Sequence, residues 1–390
     1  MYKRVVLIIL DGVGVGALPD AADYGDEEAA TLQHVAARVN GISVPQLERL
    51  GLGCIVPIAG VTAVTKPLAC WGKMAQRSAG KDSVTGHWEL TGVVLPHPFA
   101  TYPAGFPADI VDLFADIAGT RPLGNIAASG TDILRELGEE HLRSKRPIIY
   151  TSTDSVFQIA AHEDILAPTQ LYDLCRATFE ALQPYNICRV IARPFRGESS
   201  ATFYRTSGRH DFPCLPPADT LLDLLHKQGI PTCGIGKVGD LFAGRGLAQN
   251  VPTTDNRMGM AEILKALDQV SVGLIMANLV DFDMVYGHRR DAEGFAAALV
   301  EVDRWLVQLL SRLDANDLLV ISADHGCDPT TSGTDHTREY VPLLAYSPAL
   351  SCPAYLGVLD SFADLGATLA ENFGLKCQSG KSFLSAIGPL

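Results

Sequence analysis

Two stretches of the chain concentrate the residue types that bind cations. Asp324-His325-Gly326 is followed by Gly333-Thr-Asp-His336, and upstream lies Asp281-Phe-Asp-Met-Val-Tyr-Gly-His288. With Asp11 they supply three or more carboxylates and three imidazoles, on or just after predicted strand ends. Oxygen and nitrogen donors without a nearby cysteine pair suit Mn2+, Mg2+ or Zn2+ rather than a thiolate site. Six or seven such groups are too many for one ion and about right for two. Two ions about 4 Å apart clamp the attacking and leaving oxygens of a phosphoryl displacement and help deprotonate a hydroxyl nucleophile. The best candidate loop for that hydroxyl is Gly80-Lys-Asp-Ser-Val-Thr-Gly-His-Trp-Glu89, polar and flanked by glycine. On sequence chemistry alone, the favoured reading is that Ser83 or Thr85 simply caps the next helix. Each acid or imidazole taken singly reads as an ordinary polar loop residue, and only their joint occurrence points to metal.

Positioning these residues requires strands that end together. Val5–Leu10 is a continuous apolar run, as in a strand buried on both faces, and it ends in Asp11-Gly12. Val272–Ala277 leads to Asp281 and Asp283, and Leu318–Ser322 leads to Asp324-His325. Helical patterns at Ala218–Gln228, Met258–Leu267 and Asp291–Leu313 alternate with these runs, which implies an α/β fold with a mainly parallel sheet covered by helices on both faces. Ligands of such sheets bind outside the carboxyl ends of the strands, so the aspartate-bearing ends should converge on one site. Two proline clusters, Pro96 to Pro107 and Pro213 to Pro217, bracket about 110 residues that break the alternation and carry strands at Pro147–Thr151 and Arg189–Ala192 and a helix near Leu171–Leu182. The expected organisation is a discontinuous metal-binding core, residues 1–98 and 217–390, with an inserted smaller α/β domain over 99–216.

Composition narrows the function classes. The 390 residues are 47% hydrophobic and 19% charged, enough for two cored domains, and no apolar run approaches the ~18 residues of a membrane helix. Lys3-Arg4 and the apolar run behind it lack a cleavage site, so a cytoplasmic location is expected. Nine cysteines without a C-x-x-C pair fit reduced thiols. The short apolar runs lead to no membrane partner being expected, and a net charge of −13, with no long basic run, argues against a duplex nucleic-acid binder. The segment Gly234–Asp240 around Lys237 is read as a tight turn rather than a dinucleotide loop, with Lys237 a candidate phosphate ligand.

Several long segments resemble the phosphopentomutase family of the alkaline phosphatase superfamily: Gly80–Glu89, Tyr150–Glu163, Asn278–Asp291, Ala323–Pro329 and Gly333–Pro342. The resemblance implies an alkaline phosphatase-like core, a cap domain in the insertion, and an isomerase that moves phosphate between the 1 and 5 oxygens of ribose or 2-deoxyribose. It implies that Thr85 is the phosphorylated nucleophile, that Asp11, Asp324 and His325 hold one Mn2+ with the Thr85 oxygen, and that Asp283, His288 and His336 hold a second. A sugar bisphosphate such as glucose 1,6-bisphosphate would prime the enzyme. Arg193 and Arg209 become candidates for the distal phosphate, and Ser152, Asp154 and Val156 for the ribose pocket. Gly208 and Thr331 depart from the Asn and Trp of the family pattern. A monomer or weak homo-oligomer is expected. A phosphatase of the same superfamily and a non-catalytic metal-stabilised binding protein are the alternatives. A sulfatase is disfavoured because Cys214-Leu-Pro-Pro-Ala218 lacks the arginine of C-x-P-x-R.

Overall fold

The computed structural model describes residues 1–152 and 155–388. The chain forms two compact units, Met1–Pro98 with Pro216–Leu390, and Phe99–Leu215. In chain order, β1 (Arg4–Leu10) and β2 (Cys70–Met74) precede the insertion. The insertion holds β3 (Leu123–Ala127), β4 (Ile148–Thr151), β5 (Val156–His162), β6 (Arg189–Arg196), β7 (Tyr204–Arg205) and β8 (His210–Pro213). After it come β9 (Thr232–Ile235), β10 (Gln249–Val251), β11 (Gly273–Leu279), β12 (Asp317–Ser322), β13 (Val341–Tyr346) and β14 (Tyr355–Leu359).

In the larger unit one eight-stranded sheet runs β10-β9-β11-β1-β12-β13-β2-β14. Every residue of β1, β11 and β12 is buried, because helices cover both faces of the sheet. β1 is parallel to both neighbours, with Leu10 opposite Leu279 and Ile9 opposite Ser322, so the three strands end level. That register carries Asp11, Asp324 and the segment after Leu279 to one edge of the sheet. β13 runs antiparallel to both β12 and β2, an interruption that the apolar pattern does not signal. Helix boundaries follow capping chemistry. Asp291 caps Ala292–Ser311 through Gly294 N–H, and Thr220 with Asp223 forms a reciprocal box that starts the helix Leu221–Lys227 at Leu221 rather than Ala218. Among the described residues no helix is long and apolar enough to cross a membrane.

The inserted unit has its own sheet, β3-β4-β5-β6-β7, with β8 also paired to β6. Side chains alternate along β4 and β5: Ile149, Phe157 and Ile159 enter one core with Phe106, Ile110, Phe114 and Leu171, whereas Ile148, Tyr150 and Ala160 enter the other with Ile133, Leu134 and Phe195. Two apolar layers on one small sheet make the unit independently cored. Within the second layer, His141 accepts the His162 backbone N–H on Nε2 at 2.8 Å, so Nδ1 carries the proton and donates to Arg146 O at 2.6 Å. Burial holds the His141 pKa below its usual 6.5, since a proton on Nε2 would leave the His162 amide facing a cation. A folded-state pKa below the unfolded one favours protonation of the unfolded chain, so stability falls as pH drops from about 6.5 toward the folded pKa, at up to ~1.4 kcal/mol per pH unit. The protection of the His162 amide, corrected for intrinsic exchange, should therefore weaken between about pH 7 and about pH 5. Unchanged protection would refute this assignment of the tautomer.

Candidate functional site

The level strand ends gather the acids and imidazoles. Asp11 and Asp324 are fully buried, and Asp283, His325 and His336 nearly so, at 3%, 1% and 6% exposure. Asp11 follows β1 directly, Asp324 stands two residues beyond β12, and Asp283 sits in a π-helical turn, Phe282–Gly287, beyond β11. The ligating atoms of Asp11, Asp324 and His325 lie within 4.8 Å of one another, and so do those of Asp283, His325 and His336. His288 Nε2 and His336 Nε2 approach the same oxygen, Asp283 Oδ1, at 3.2 and 3.3 Å. Asp281 goes elsewhere: its Oδ2 accepts Asn256 N–H at 2.9 Å, so of the Asp281/Asp283 pair only Asp283 faces the cluster.

The donor set fits divalent metal. Asp11 Oδ1, Asp283 Oδ1 and Asp324 Oδ2 are buried without a hydrogen bond, although imidazole nitrogens stand 3.0–3.4 Å away with no N–H aligned on them. Buried carboxylate oxygens left in this state are costly unless a cation meets them. The imidazoles are set for ligation by what their other nitrogen does. His288 Nδ1 donates to Thr334 O at 2.7 Å and His325 Nδ1 to Gly326 O at 3.0 Å, which turns each Nε2 lone pair toward the carboxylates. Burial lowers the His325 pKa to about 4, so its ring is neutral. Burial also pushes the Asp11 carboxyl up to about 7, Lys237 opposing and the charges of Asp324 and Asp283 adding to it. Cys327, which motif spacing did not suggest, joins Asp283 and His288 in a third cluster of the same size. Burial raises its thiol pKa strongly, which marks it as a packed thiol against Gly12 and Gly287.

Lys237 Nζ lies 2.8 Å from Asp11 Oδ2 and 3.4 Å from Asp283 Oδ2, and these carboxylates keep it cationic despite its burial. Gly234, Gly236 and Gly239 have the spacing G-x-G-x-x-G, so spacing by itself does not exclude a nucleotide. Packing accounts for them instead. A Cβ on Gly236 would sit 2.4 Å from Asn278 O and one on Gly239 2.2 Å from the Asn250 amide, and the following helix, Val238–Leu241, is only four residues long.

Thr85 is fully buried in the first turn of the helix Ser83–Leu90. The cap is neither Ser83 nor Thr85 but Asp82, whose Oδ1 accepts Thr85 N–H at 3.0 Å while Oδ2 accepts the Thr85 hydroxyl at 2.5 Å. One face of this helix presses on the metal-type residues. Ser83 Oγ is 3.0 Å from His325 Nε2, His87 Nδ1 is 3.0 Å from Asp324 Oδ2, and a Cβ on Gly86 would meet Asp324 O at 2.1 Å. Only glycine allows that approach.

Two buried charges near the cluster hold the loops. Glu339 accepts from Gly16 N, Thr31 N, Thr31 Oγ1 and Thr337 Oγ1. Arg338 donates through Nη1 to Gln76 Oε1, Ser78 O and Gly80 O at 3.0, 2.8 and 2.7 Å, and through Nε and Nη2 to Asp20. It thereby fixes the strand exit that leads into Asp82 and Thr85. Arg338→Met should lower unfolding free energy by roughly 3–5 kcal/mol, because several buried carbonyls and a carboxylate lose their donor. Chemical denaturation measures it, and a loss below about 1 kcal/mol would show that water replaces the guanidinium at no cost.

In the inserted unit, Arg193 Nε donates to Gln158 Oε1 at 3.0 Å. Arg209 forks onto Asp211 with Nε and Nη2, both at 2.7 Å, and Arg189 reaches the same carboxylate at 3.2 Å. Burial and the charge of Arg209 lower the Arg193 pKa, while Asp211 and Tyr150 oppose the shift. Val156 opens β5 and is buried, and Ser152 is half-buried just after β4. Asp154 lies outside the described residues.

A family model for the Metalloenzyme superfamily matches residues 3–377. A curated relative from Syntrophotalea carbinolica, named phosphopentomutase, is 57% identical over 386 residues, 99% of this chain and 98% of that one. A phosphopentomutase from Carboxydothermus hydrogenoformans is 50% identical over 386 residues, 99% of each chain. The chain belongs to the phosphopentomutase family. It is accordingly an enzyme of the isomerase class, and with the ligand clusters above it is metal-dependent. A Pyrococcus horikoshii protein of solved structure aligns with a TM-score of 0.50 at 15% identity, covering 97% of this chain and all of that one, a likeness in fold. The family model and the eight-stranded α/β sheet agree with the alkaline phosphatase-like core expected from the motifs.

Proposed function

We propose that this chain interconverts the 1-phosphate and 5-phosphate of ribose or 2-deoxyribose in the cytoplasm, linking nucleoside breakdown to pentose phosphate metabolism, with Thr85 as the phosphoryl carrier. The observation that carries the reading is the placement of the Thr85 hydroxyl, buried on a helix whose adjacent residues touch Asp324 and His325. Two Mn2+ ions would be held by Asp11, Asp324 and His325, with the Thr85 oxygen, and by Asp283, His288 and His336. When bound they supply Lewis-acid stabilisation of charge on the phosphoryl oxygens.

The chain's own residues do the rest. Asp82 accepts the Thr85 hydroxyl proton in a hydrogen bond and so orients the oxygen. The first turn of helix Ser83–Leu90 favours the negative charge of a phosphorylated Thr85. Lys237 brings a cation to the carboxylate cluster, where it can meet a phosphoryl oxygen. Phosphothreonine donates to one sugar hydroxyl, the resulting bisphosphate turns, and its other phosphate returns to Thr85. Arg193 and Arg209 hold the phosphate distal to the reaction, Ser152, Asp154 and Val156 shape the ribose pocket, and the inserted unit acts as a cap that keeps water from the phosphoenzyme. A sugar bisphosphate such as glucose 1,6-bisphosphate primes unphosphorylated enzyme.

Product analysis tests the reading. With ribose 1-phosphate, Mn2+ and the bisphosphate primer, ribose 5-phosphate should form much faster than inorganic phosphate is released. Faster release of phosphate would make the chain a phosphatase instead. Arg193→Met should raise KM for the pentose phosphate by roughly 10- to 100-fold with a smaller effect on kcat, as expected for loss of a charged hydrogen bond to substrate.

A further inference from the structure

Two cysteines of the inserted unit face one another at one end of a strand pair that the proposed chemistry leaves unexplained. β6 and β8 are antiparallel with Arg189 opposite Pro213, so one step further Cys188 stands opposite Cys214. Cys214 N–H donates to Cys188 O at 2.8 Å, and the two sulfurs are 3.3 Å apart. Cys188 N–H donates instead to Ser155 Oγ at 3.0 Å, so the pair shares one backbone bond. Directly opposed residues of antiparallel strands have Cα atoms about 4.5–5.5 Å apart, inside the ~4.4–6.8 Å range that a disulfide spans. Closing the sulfurs to the ~2.05 Å of a covalent bond takes side-chain rotation rather than backbone movement. Exposure divides the pair by role: Cys188 is buried, whereas Cys214 is part-exposed and open to a reagent.

We propose that Cys188 and Cys214 form an oxidisable dithiol, converted to a cross-strand disulfide by a low-molecular-weight disulfide of the glutathione class. The Cys214 thiolate attacks the reagent, forming a mixed disulfide and releasing one thiolate. The Cys188 thiolate then attacks Cys214 Sγ and expels the second. The protein loses two protons and two electrons, and the reagent takes both electrons and leaves as two thiols. The product ties β6, which carries Arg189 and Arg193, to β8, which carries Asp211. It closes the chain across 26 residues of sequence separation, which constrains the unfolded state of the inserted unit.

The test uses the reduced full-length protein, exposed to a series of oxidised-to-reduced glutathione ratios, quenched with an alkylating agent and mapped by mass spectrometry without reduction. The expected result is a Cys188–Cys214 cross-linked peptide lighter by two hydrogens, while the exposed Cys352 carries glutathione as an internal control. In Cys188→Ser, glutathione should remain on Cys214, because the resolving thiol is gone. Oxidised wild type should unfold about 4 °C higher than reduced wild type, reversibly with dithiothreitol, and Cys214→Ser should show no shift. Glutathione persisting on Cys214 of the wild type, a bridge to a different cysteine, or a shift equal in Cys214→Ser would each overturn the proposal.

Discussion

Thr85→Ala is expected to abolish mutase activity, by about 10^4-fold or more in kcat, while leaving the fold in place. The size follows from what is removed. The proposed cycle passes every phosphoryl group through one oxygen, and the hydroxyl of Ser83 on the same helix turn is engaged elsewhere, with Oγ 3.0 Å from His325 Nε2. The fold should tolerate the change. Asp82 still caps the helix through residue 85 N–H, so only the 2.5 Å hydroxyl contact is lost. Thr85→Ser keeps the oxygen and should retain substantial activity, although the missing methyl leaves a small buried void. Intact-mass measurement after incubation with a sugar bisphosphate gives an independent reading. Wild type should gain one phosphate and Thr85→Ala none. Phosphate on the alanine variant would place the carrier elsewhere and remove Thr85 from the mechanism.

The same comparison separates an enzyme from a metal-stabilised binder. A non-catalytic protein would lose nothing with Thr85, whereas its metal ligands would still matter for stability. The ligand clusters speak equally for both roles. It is the buried hydroxyl, accepted by Asp82 and carried on a helix packed against Asp324, that favours catalysis.

The parts of this site that a sequence displays are those governed by local periodicity. A strand buried on both faces must be apolar throughout, so Val5–Leu10 and Leu318–Ser322 stand out, and the first charged residue beyond each marks its carboxyl end. That is why Asp11 and Asp324 can be placed before any coordinates are known. Asp281 and Asp283 are two residues apart and look equivalent, but a π-helical turn after β11 sends one to Asn256 and the other to the imidazoles. No local preference encodes that choice. β2 and β13 escape notice for another reason. Their burial depends on partners far along the chain, and an antiparallel pair inside a mainly parallel sheet has no short-range signature. Arg338 and Glu339 are likewise silent in sequence. Adjacent opposite charges usually read as a solvated surface pair, whereas here both are buried and each satisfies loops from distant stretches. Asp82 was within reach: an acid three residues before Thr85 has the spacing of an N-cap to its third helical residue.

Asp11→Asn should have opposite effects on activity and on the stability of the metal-free protein, and that crossing distinguishes a metal site from a structural acid cluster. In the metal-free chain, the buried carboxylates of Asp11 and Asp283 share the cation of Lys237, Asp324 lies beside them, and Asp11 Oδ1 has no hydrogen bond. Burial and the neighbouring charges raise the Asp11 pKa from 3.8 to about 7. A carboxyl whose folded pKa lies above its unfolded value resists ionisation in the folded state. Its contribution is therefore lost as pH rises from about 4 to about 7, and at about pH 8 the ionised group destabilises the metal-free fold. Replacing it with a neutral amide of the same shape should raise the unfolding free energy of chelator-treated protein at that pH by about 1–3 kcal/mol. With metal the order reverses. Wild type at ~100 times its dissociation constant gains about 2.7 kcal/mol from the bound ion, whereas the variant, short of one charged ligand, gains much less and loses at least ~10^3-fold in activity. Thermal unfolding with and without Mn2+, at about pH 8 and again at about pH 5, resolves the four arms. At the lower pH the two metal-free proteins should converge, because Asp11 is then protonated in the wild type. A variant destabilised without metal would mean that the Lys237 ion pair outweighs the repulsion, and that Asp11 is held for structure rather than for the ion.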